Sequence, residues 1–152
     1  MFRSIIHPLL GVFLAMLGYY IVVQIGEQLY PTDFLTKDMN QEEVYLATQG
    51  YLATAPFWVL AISILAPMFG TFVGTLYAYQ ISDELPTAHT APVLSVMLIC
   101  TVLILTNPPH PTWMYIAPFL VIGAWWNAVK FGKARVAKAQ AKQKRKRGND
   151  RG

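Results

Sequence analysis

The chain has 152 residues, of which 55% are hydrophobic and 13% charged, whereas soluble domains have about 45–50% apolar and about 25% charged residues. The apolar residues form long uncharged runs, a distribution that excludes an ordinary soluble domain. The net charge of +4 is uneven, because ten of the twelve Lys and Arg residues fall between Lys130 and Arg151. The composition therefore indicates a membrane body with acidic loops and a basic tail.

Four apolar runs are long enough to cross a bilayer, since spanning about 30 Å of hydrocarbon takes about 20 helical residues. The runs cover residues 4–25, 55–79, 87–106 and 112–131. Pro92 falls in the first turn of the third run and Pro111 precedes the fourth, where proline is tolerated. We predict an all-α integral membrane four-helix bundle over residues 1–131, followed by a basic cytoplasmic tail over residues 132–152.

The first run differs from a cleaved signal peptide. A basic residue, Arg3, does precede it. However, its apolar stretch of about twenty residues is longer than the 7–15 residues of a signal peptide, and no small-residue cleavage motif follows. We expect an uncleaved first span.

The loop between the first two spans, residues 26–54, contains one Lys and five acidic residues. Asn40 followed by Glu43 is typical of a capping box at a helix start, and apolar residues then recur on one helical face. We predict a short interfacial helix over residues 41–52 in this first outer loop.

The orientation follows from the basic residues, which stay on the cytoplasmic side of a membrane. Arg3 flanks the first span and the basic tail follows the last, so both termini are predicted in the cytoplasm, and the protein in a bacterial inner membrane. Trp and Tyr favour membrane interfaces. The outer belt is predicted at Tyr30, Trp58, Trp113 and Tyr115, and the inner belt at Tyr77, Tyr79, Trp125 and Trp126.

Small residues recur at helical spacing in the first two spans. Such faces let helix backbones approach closely, and packing drives helix association in lipid. The predicted packing residues are Gly11, Ala15 and Gly18 in the first span, and Ser63, Pro67, Gly70 and Gly74 in the second. The Gly70-x-x-x-Gly74 motif could join two chains or the first two helices of one chain, and we favour the second interpretation.

The spans show no constellation that points to catalysis. Ionisable residues inside a membrane usually mark transport or catalytic sites, and the carboxylate nearest to the spans, Glu27, lies at the outer edge of the first. The histidines His7, His89 and His110 lack the spacing of metal ligands. We predict no catalytic, cofactor-binding or metal site.

The basic tail is expected to extend the fourth helix and to contact anionic lipid head groups, which attract Lys and Arg beside a membrane. The residues assigned to this contact are Lys142, Lys144, Arg145, Lys146 and Arg147. No aromatic residue follows Phe131, so nucleic acid is not an expected partner.

The glycine motif, residues 70–74, resembles that of a family of small bacterial membrane proteins with four predicted helices, as do Pro109, Pro111 and Trp113 before the last span. The acidic first loop, Gly123 in the fourth span and the basic end also fit. The family often has a histidine just before the glycine motif, where this chain has Ala66 and Pro67. No activity is assigned to this family, so the resemblance implies architecture alone.

Two functions fit these features. The first is a non-enzymatic accessory or structural membrane component that associates with a second copy or with another membrane protein. The alternative is a small oligomeric transporter or channel, in which Thr71, Thr75 and Asn127 line a path.

Overall fold

The computed structural model describes residues 2–31, 38–81, 86–106 and 110–149, and all regular structure in these ranges is helical. Four of the helices are long and apolar enough to cross a membrane, judged by length and composition. The predicted all-helical fold with four helices of membrane-spanning length is confirmed. The elements are α1 (Phe2–Leu29), α2 (Gln41–Thr54), α3 (Phe57–Ile81), α4 (Pro86–Thr106), a 3-10 turn (Thr112–Ile116) and α5 (Ala117–Asn149).

The helix ends differ from the predicted spans for local reasons. Ala55 precedes Pro56 and is extended, with φ −62° and ψ 138°, because the proline ring disfavours a helical conformation in the residue before it. The predicted second span, 55–79, therefore becomes a helix that begins at Phe57. The fourth run opens with a 3-10 turn, and α5 then continues across the boundary predicted between residues 131 and 132.

Helix α2 begins with the predicted capping box. The Asn40 side chain accepts hydrogen bonds from the backbone N–H groups of Glu42 and Glu43 (3.0 and 2.9 Å), and the Glu43 carboxylate accepts from the Asn40 N–H (2.9 Å). At its other end, Leu52 is buried in a cluster with Leu60 of α3 and other apolar residues. The last turns of α2 therefore dock on the bundle, while most of its first two turns are exposed.

Helix α3 is the centre of the bundle. It packs against α1, α4 and α5, and α4 also packs against α1 and α5. Half of the residues in the apolar stretch of α3 are buried, whereas in the apolar stretch of α1 the buried share is 17%. Helices α1 and α5 are not among the main packed pairs of the described residues. The cross-section is therefore a rhombus, with α3 and α4 in contact across its short diagonal.

The contact between α1 and α3 depends on glycine. A Cβ atom at Gly74 would lie against the Gly11 carbonyl oxygen and 2.6 Å from the Ala15 Cβ, and one at Gly70 would lie against the Ala15 carbonyl oxygen. The two carbonyl oxygens belong to the backbone, which cannot move aside as a flexible side chain can. We call this contact, formed by Gly11, Ala15, Gly70 and Gly74, the glycine seam.

Substituting Gly70→Ile together with Gly74→Ile should force α1 away from α3. Overpacking costs on the order of 1–3 kcal/mol in protein cores, and here the obstacle is backbone, so we expect a clearly lower melting temperature in detergent. Membrane insertion should persist, because isoleucine is favourable in lipid.

The matched control is Gly50→Ala in α2, where an added Cβ has no neighbour within 4 Å. This control should melt at the wild-type temperature or slightly above it, since alanine favours a helix over glycine. Wild-type thermal stability of the double variant would show that the seam does not hold the two helices.

A hydrogen bond between side chains joins α4 and α5. The Trp125 indole Nε1–H donates to the Thr90 hydroxyl oxygen (3.0 Å), and that hydroxyl donates to the Thr87 carbonyl oxygen (2.7 Å). Thr90 is fully buried. Such interhelical bonds stabilise membrane bundles by about 0.6 kcal/mol on average.

Substituting Thr90→Val should lower the melting temperature, because the near-isosteric valine leaves the indole N–H of Trp125 without its acceptor. Thr101→Val is the matched control: Thr101 is also buried, but its hydroxyl donates only to Met97 of the same helix (2.6 Å). Thermal melts in detergent should show the larger loss for Thr90→Val. Equal losses for the two variants would contradict an interhelical role.

Candidate functional site

The structure brings together most of the predicted packing residues. Besides the four residues of the glycine seam, Gly18 lies close to it, because a Cβ there would be 3.3 Å from the Gly70 Cα. Pro67 is buried. Ser63 differs, since it is exposed and lines an opening between α1 and α3. At this level Ile62 makes the contact, its Cγ2 lying 2.8 Å from where a Cβ on Gly26 would be.

Two packing glycines were not anticipated from the sequence. Gly26 accommodates Ile62, as described above, and Gly132 accommodates Tyr79, whose Cδ1 lies 2.6 Å from where a Cβ on Gly132 would be. Both lie just beyond the ends of the predicted spans and outside the small-residue repeats of those spans. A glycine inside a long helix was the available signal, since glycine there costs about 1 kcal/mol relative to alanine.

The three polar residues that would line the path of a transporter or channel do not share a surface. Thr71 and Thr75 are fully buried, whereas Asn127 is exposed. The Thr71 hydroxyl donates to the Pro67 carbonyl oxygen of its own helix (2.6 Å), and the Thr75 hydroxyl has no hydrogen-bond partner among the described residues. A path between copies would need both threonines at the protein surface, so this arrangement does not favour a channel lined by these residues.

An apolar groove runs along α3 on the side away from α4. Its cavity volume is ≈ 660 Å³, with α3 as the floor and α1 and α5 as the two walls. Phe69 and Phe72 contribute to the floor, Val22 to one wall, and Phe119 and Gly123 to the other. Gly123 has no neighbour within 4 Å of an added Cβ, unlike the glycines of the seam. The groove accommodates an apolar chain or helix and offers little to a polar solute.

A smaller pocket lies where α1 and α2 end and α3 begins. Its volume is ≈ 230 Å³, and its lining includes Glu27, Tyr30, Tyr51 and Ser63. The Tyr30 and Tyr51 ring centroids are 5.8 Å apart at 48°, and the Trp58 ring packs edge-on against Tyr30 at 5.9 Å and 89°. We call this site the aromatic–acidic pocket.

The polar groups of this pocket differ in charge. The Glu27 carboxylate is exposed at the rim and accepts a long hydrogen bond from the Gln24 side chain (3.5 Å). Burial raises the pKa of Tyr51, and the neighbouring Tyr30 contributes to the increase. Both effects keep the Tyr51 hydroxyl protonated.

The basic residues assigned to lipid contact lie at the end of α5. Lys142 is exposed, and the backbone of the other four continues the helix to Asn149. Among the described residues, no group of three or more His, Cys, Asp or Glu side chains is placed to hold a metal ion.

Comparison of the chain with protein-family models, with curated proteins and with solved structures finds no match.

Proposed function

We propose that this protein is a non-enzymatic component of a bacterial inner membrane that acts as an accessory or structural partner of other membrane components. The observation that carries the proposal is the continuity of α5. This helix passes without a break from apolar residues into the basic segment. Its 33 residues correspond to about 50 Å at 1.5 Å per residue, well beyond the roughly 30 Å of the hydrocarbon core.

The excess length supports a basic helix that projects from the membrane on the cytoplasmic side. Lys and Arg residues near an anionic membrane surface contribute about 1 kcal/mol each. Lys142, Lys144, Arg145, Lys146 and Arg147 would thus hold the end of α5 to anionic head groups. With the C-terminus cytoplasmic, the acidic first loop is outside, where α2 lies along the interface.

The interior of the bundle supports a structural role over a transport role. The glycine seam joins α1 and α3 through backbone contacts, and the hydroxyl groups of Thr71 and Thr75 are enclosed within the protein. These two hydroxyl groups therefore do not line a path at the protein surface. The apolar groove remains as a surface that another membrane component could cover.

The proposed topology can be tested with alkaline phosphatase fusions, which are active only outside the cytoplasm. A fusion at Gly152 should be inactive, and one near Thr36 should be active, because the basic flanks retain both termini inside. An active fusion at Gly152 would overturn the four-span orientation.

The accessory role can be tested by purification in mild detergent followed by native mass spectrometry. We expect a membrane protein partner at fixed stoichiometry, together with anionic phospholipid. Replacing all five basic tail residues by glutamine should remove the phospholipid, because the charge attraction is lost, while the Thr101→Val variant should keep it. A lone oligomer that conducts ions in planar bilayers would instead support the transporter or channel.

A further inference from the structure

We propose that the apolar groove binds one acyl chain of a phospholipid, whose phosphate contacts Lys130 at the end of the groove nearer the basic segment. The inference rests on the proposed function in that α5 crosses a bilayer, but it needs neither a partner protein nor the basic tail. The groove volume, ≈ 660 Å³, falls within the range of about 300–1,000 Å³ for sites that hold small ligands. Among the described lining residues, Asn127 has the one polar side chain, and it lies at this basic end. The rest of the groove therefore suits a hydrocarbon chain.

Gly123 widens the groove without serving the packing of the bundle. The glycines of the seam each meet a backbone atom of the neighbouring helix, whereas a Cβ on Gly123 would have no neighbour within 4 Å. Glycine within a helix is disfavoured relative to alanine, and the contacts of the bundle do not account for this one. An occupant of the groove would use the space that a side chain at this position would otherwise fill.

The length of the groove favours an acyl chain over a helix of another protein. Its lining on α5 extends from Phe119 to Asn127, eight positions that correspond to about 12 Å. One leaflet accounts for half of the roughly 30 Å of the hydrocarbon core, or about 15 Å. A partner helix that crosses the membrane would have twice that length to cover. The groove therefore matches one chain in the leaflet on the side of the basic segment.

A cation lies where the phosphate of such a lipid would be. Lys130 follows Asn127 by three positions, so it lies on the same side of α5 and about 4.5 Å further along. Its Nζ atom is 5.5 Å from the centroid of the Trp126 ring, a contact that positions the ammonium group without neutralising its charge. Both side chains are exposed, and Trp126 belongs to the predicted inner belt, where lipid head groups lie.

Among the described residues, the helices around the groove place no carboxylate near its basic end. The single Asp or Glu that they describe in α1, α3 and α5 is Glu27. This residue follows Gly26, which meets Ile62 of α3. Phe72 lines the floor at the basic end, ten positions or about 15 Å further along α3. The charges at the basic end therefore favour an anion such as phosphate.

Titration with lipid, followed by native mass spectrometry, tests the groove in the full chain. The five tail residues are replaced by glutamine as above, so that phospholipid held by the tail does not contribute. This parent protein is freed of lipid and titrated with phosphatidylglycerol, and we expect one phospholipid to bind saturably to each chain. Neither a partner protein nor the basic tail takes part, so failure here is distinguishable from failure of the proposed function.

Filling the groove should displace the lipid. Gly123→Leu should weaken the binding by about tenfold or more, because the added side chain overpacks the space of the acyl chain. The matched control is Gly50→Leu, since a Cβ on Gly50 would also have no neighbour within 4 Å, and this variant should bind as the parent does. Both should keep the melting temperature of the parent, which separates a filled groove from a damaged fold.

Removing the cation should weaken the binding independently. Lys130→Gln should do so by about fivefold, the effect of one basic residue beside anionic head groups. Lys138→Gln is the control, because Lys138 is also exposed but lies eight positions, or about 12 Å, further along α5. This pair remains informative if Gly123→Leu is unstable.

Three results would overturn the proposal. The first is the absence of saturable binding by the parent, and the second is unchanged affinity in the folded Gly123→Leu variant. The third is equal binding by the Lys130→Gln and Lys138→Gln variants. A dimer that Gly123→Leu abolishes, with lipid binding unchanged, would show that a second copy of the chain fills the groove instead.

Discussion

The architecture depends on the approach of two backbones along the glycine seam. In lipid, helices gain little from burying apolar side chains, because the surrounding tails are equally apolar, and association relies on close packing. Gly70 and Gly74 allow this packing because they place no side chain between α3 and the carbonyl groups of α1. With α1 fixed on one side of α3, the remaining sides of α3 are available to α4 and α5.

The two openings follow from this arrangement. Helices α1 and α5 both pack on α3 without being a main packed pair themselves, so a groove remains between them. Beyond the seam, α1 and α3 are in contact again at Gly26 and Ile62, and the chain folds back through α2. The pocket with Glu27 and Tyr51 forms where these three helices meet. One opening is apolar along its length, whereas the other is lined by aromatic residues and one carboxylate.

Much of the fold could be predicted from the sequence, because the signals were local. Apolar runs located four helices of membrane-spanning length, Asn40 and Glu43 located the start of α2, and glycine spacing indicated the residues of the seam. The contacts that could not be predicted depend on which helices are neighbours. Ser63 has the same spacing as the seam residues, yet it is exposed because Ile62 fills the contact. The grouping of Glu27 with Tyr51 likewise requires α2 to return to the end of α1, which no local pattern indicates.

The contact between Tyr79 and Gly132 divides α5 into two arms. It lies near the middle of the helix, 15 positions after Ala117 and 17 positions before Asn149. The two arms are therefore about 23 and 26 Å long, and one of them forms a wall of the apolar groove. That arm is fixed from its other side by the burial of Val121 and Ala128 and by the hydrogen bond from Trp125 to Thr90 of α4. An occupant of the groove would therefore meet a wall that α4 supports from behind.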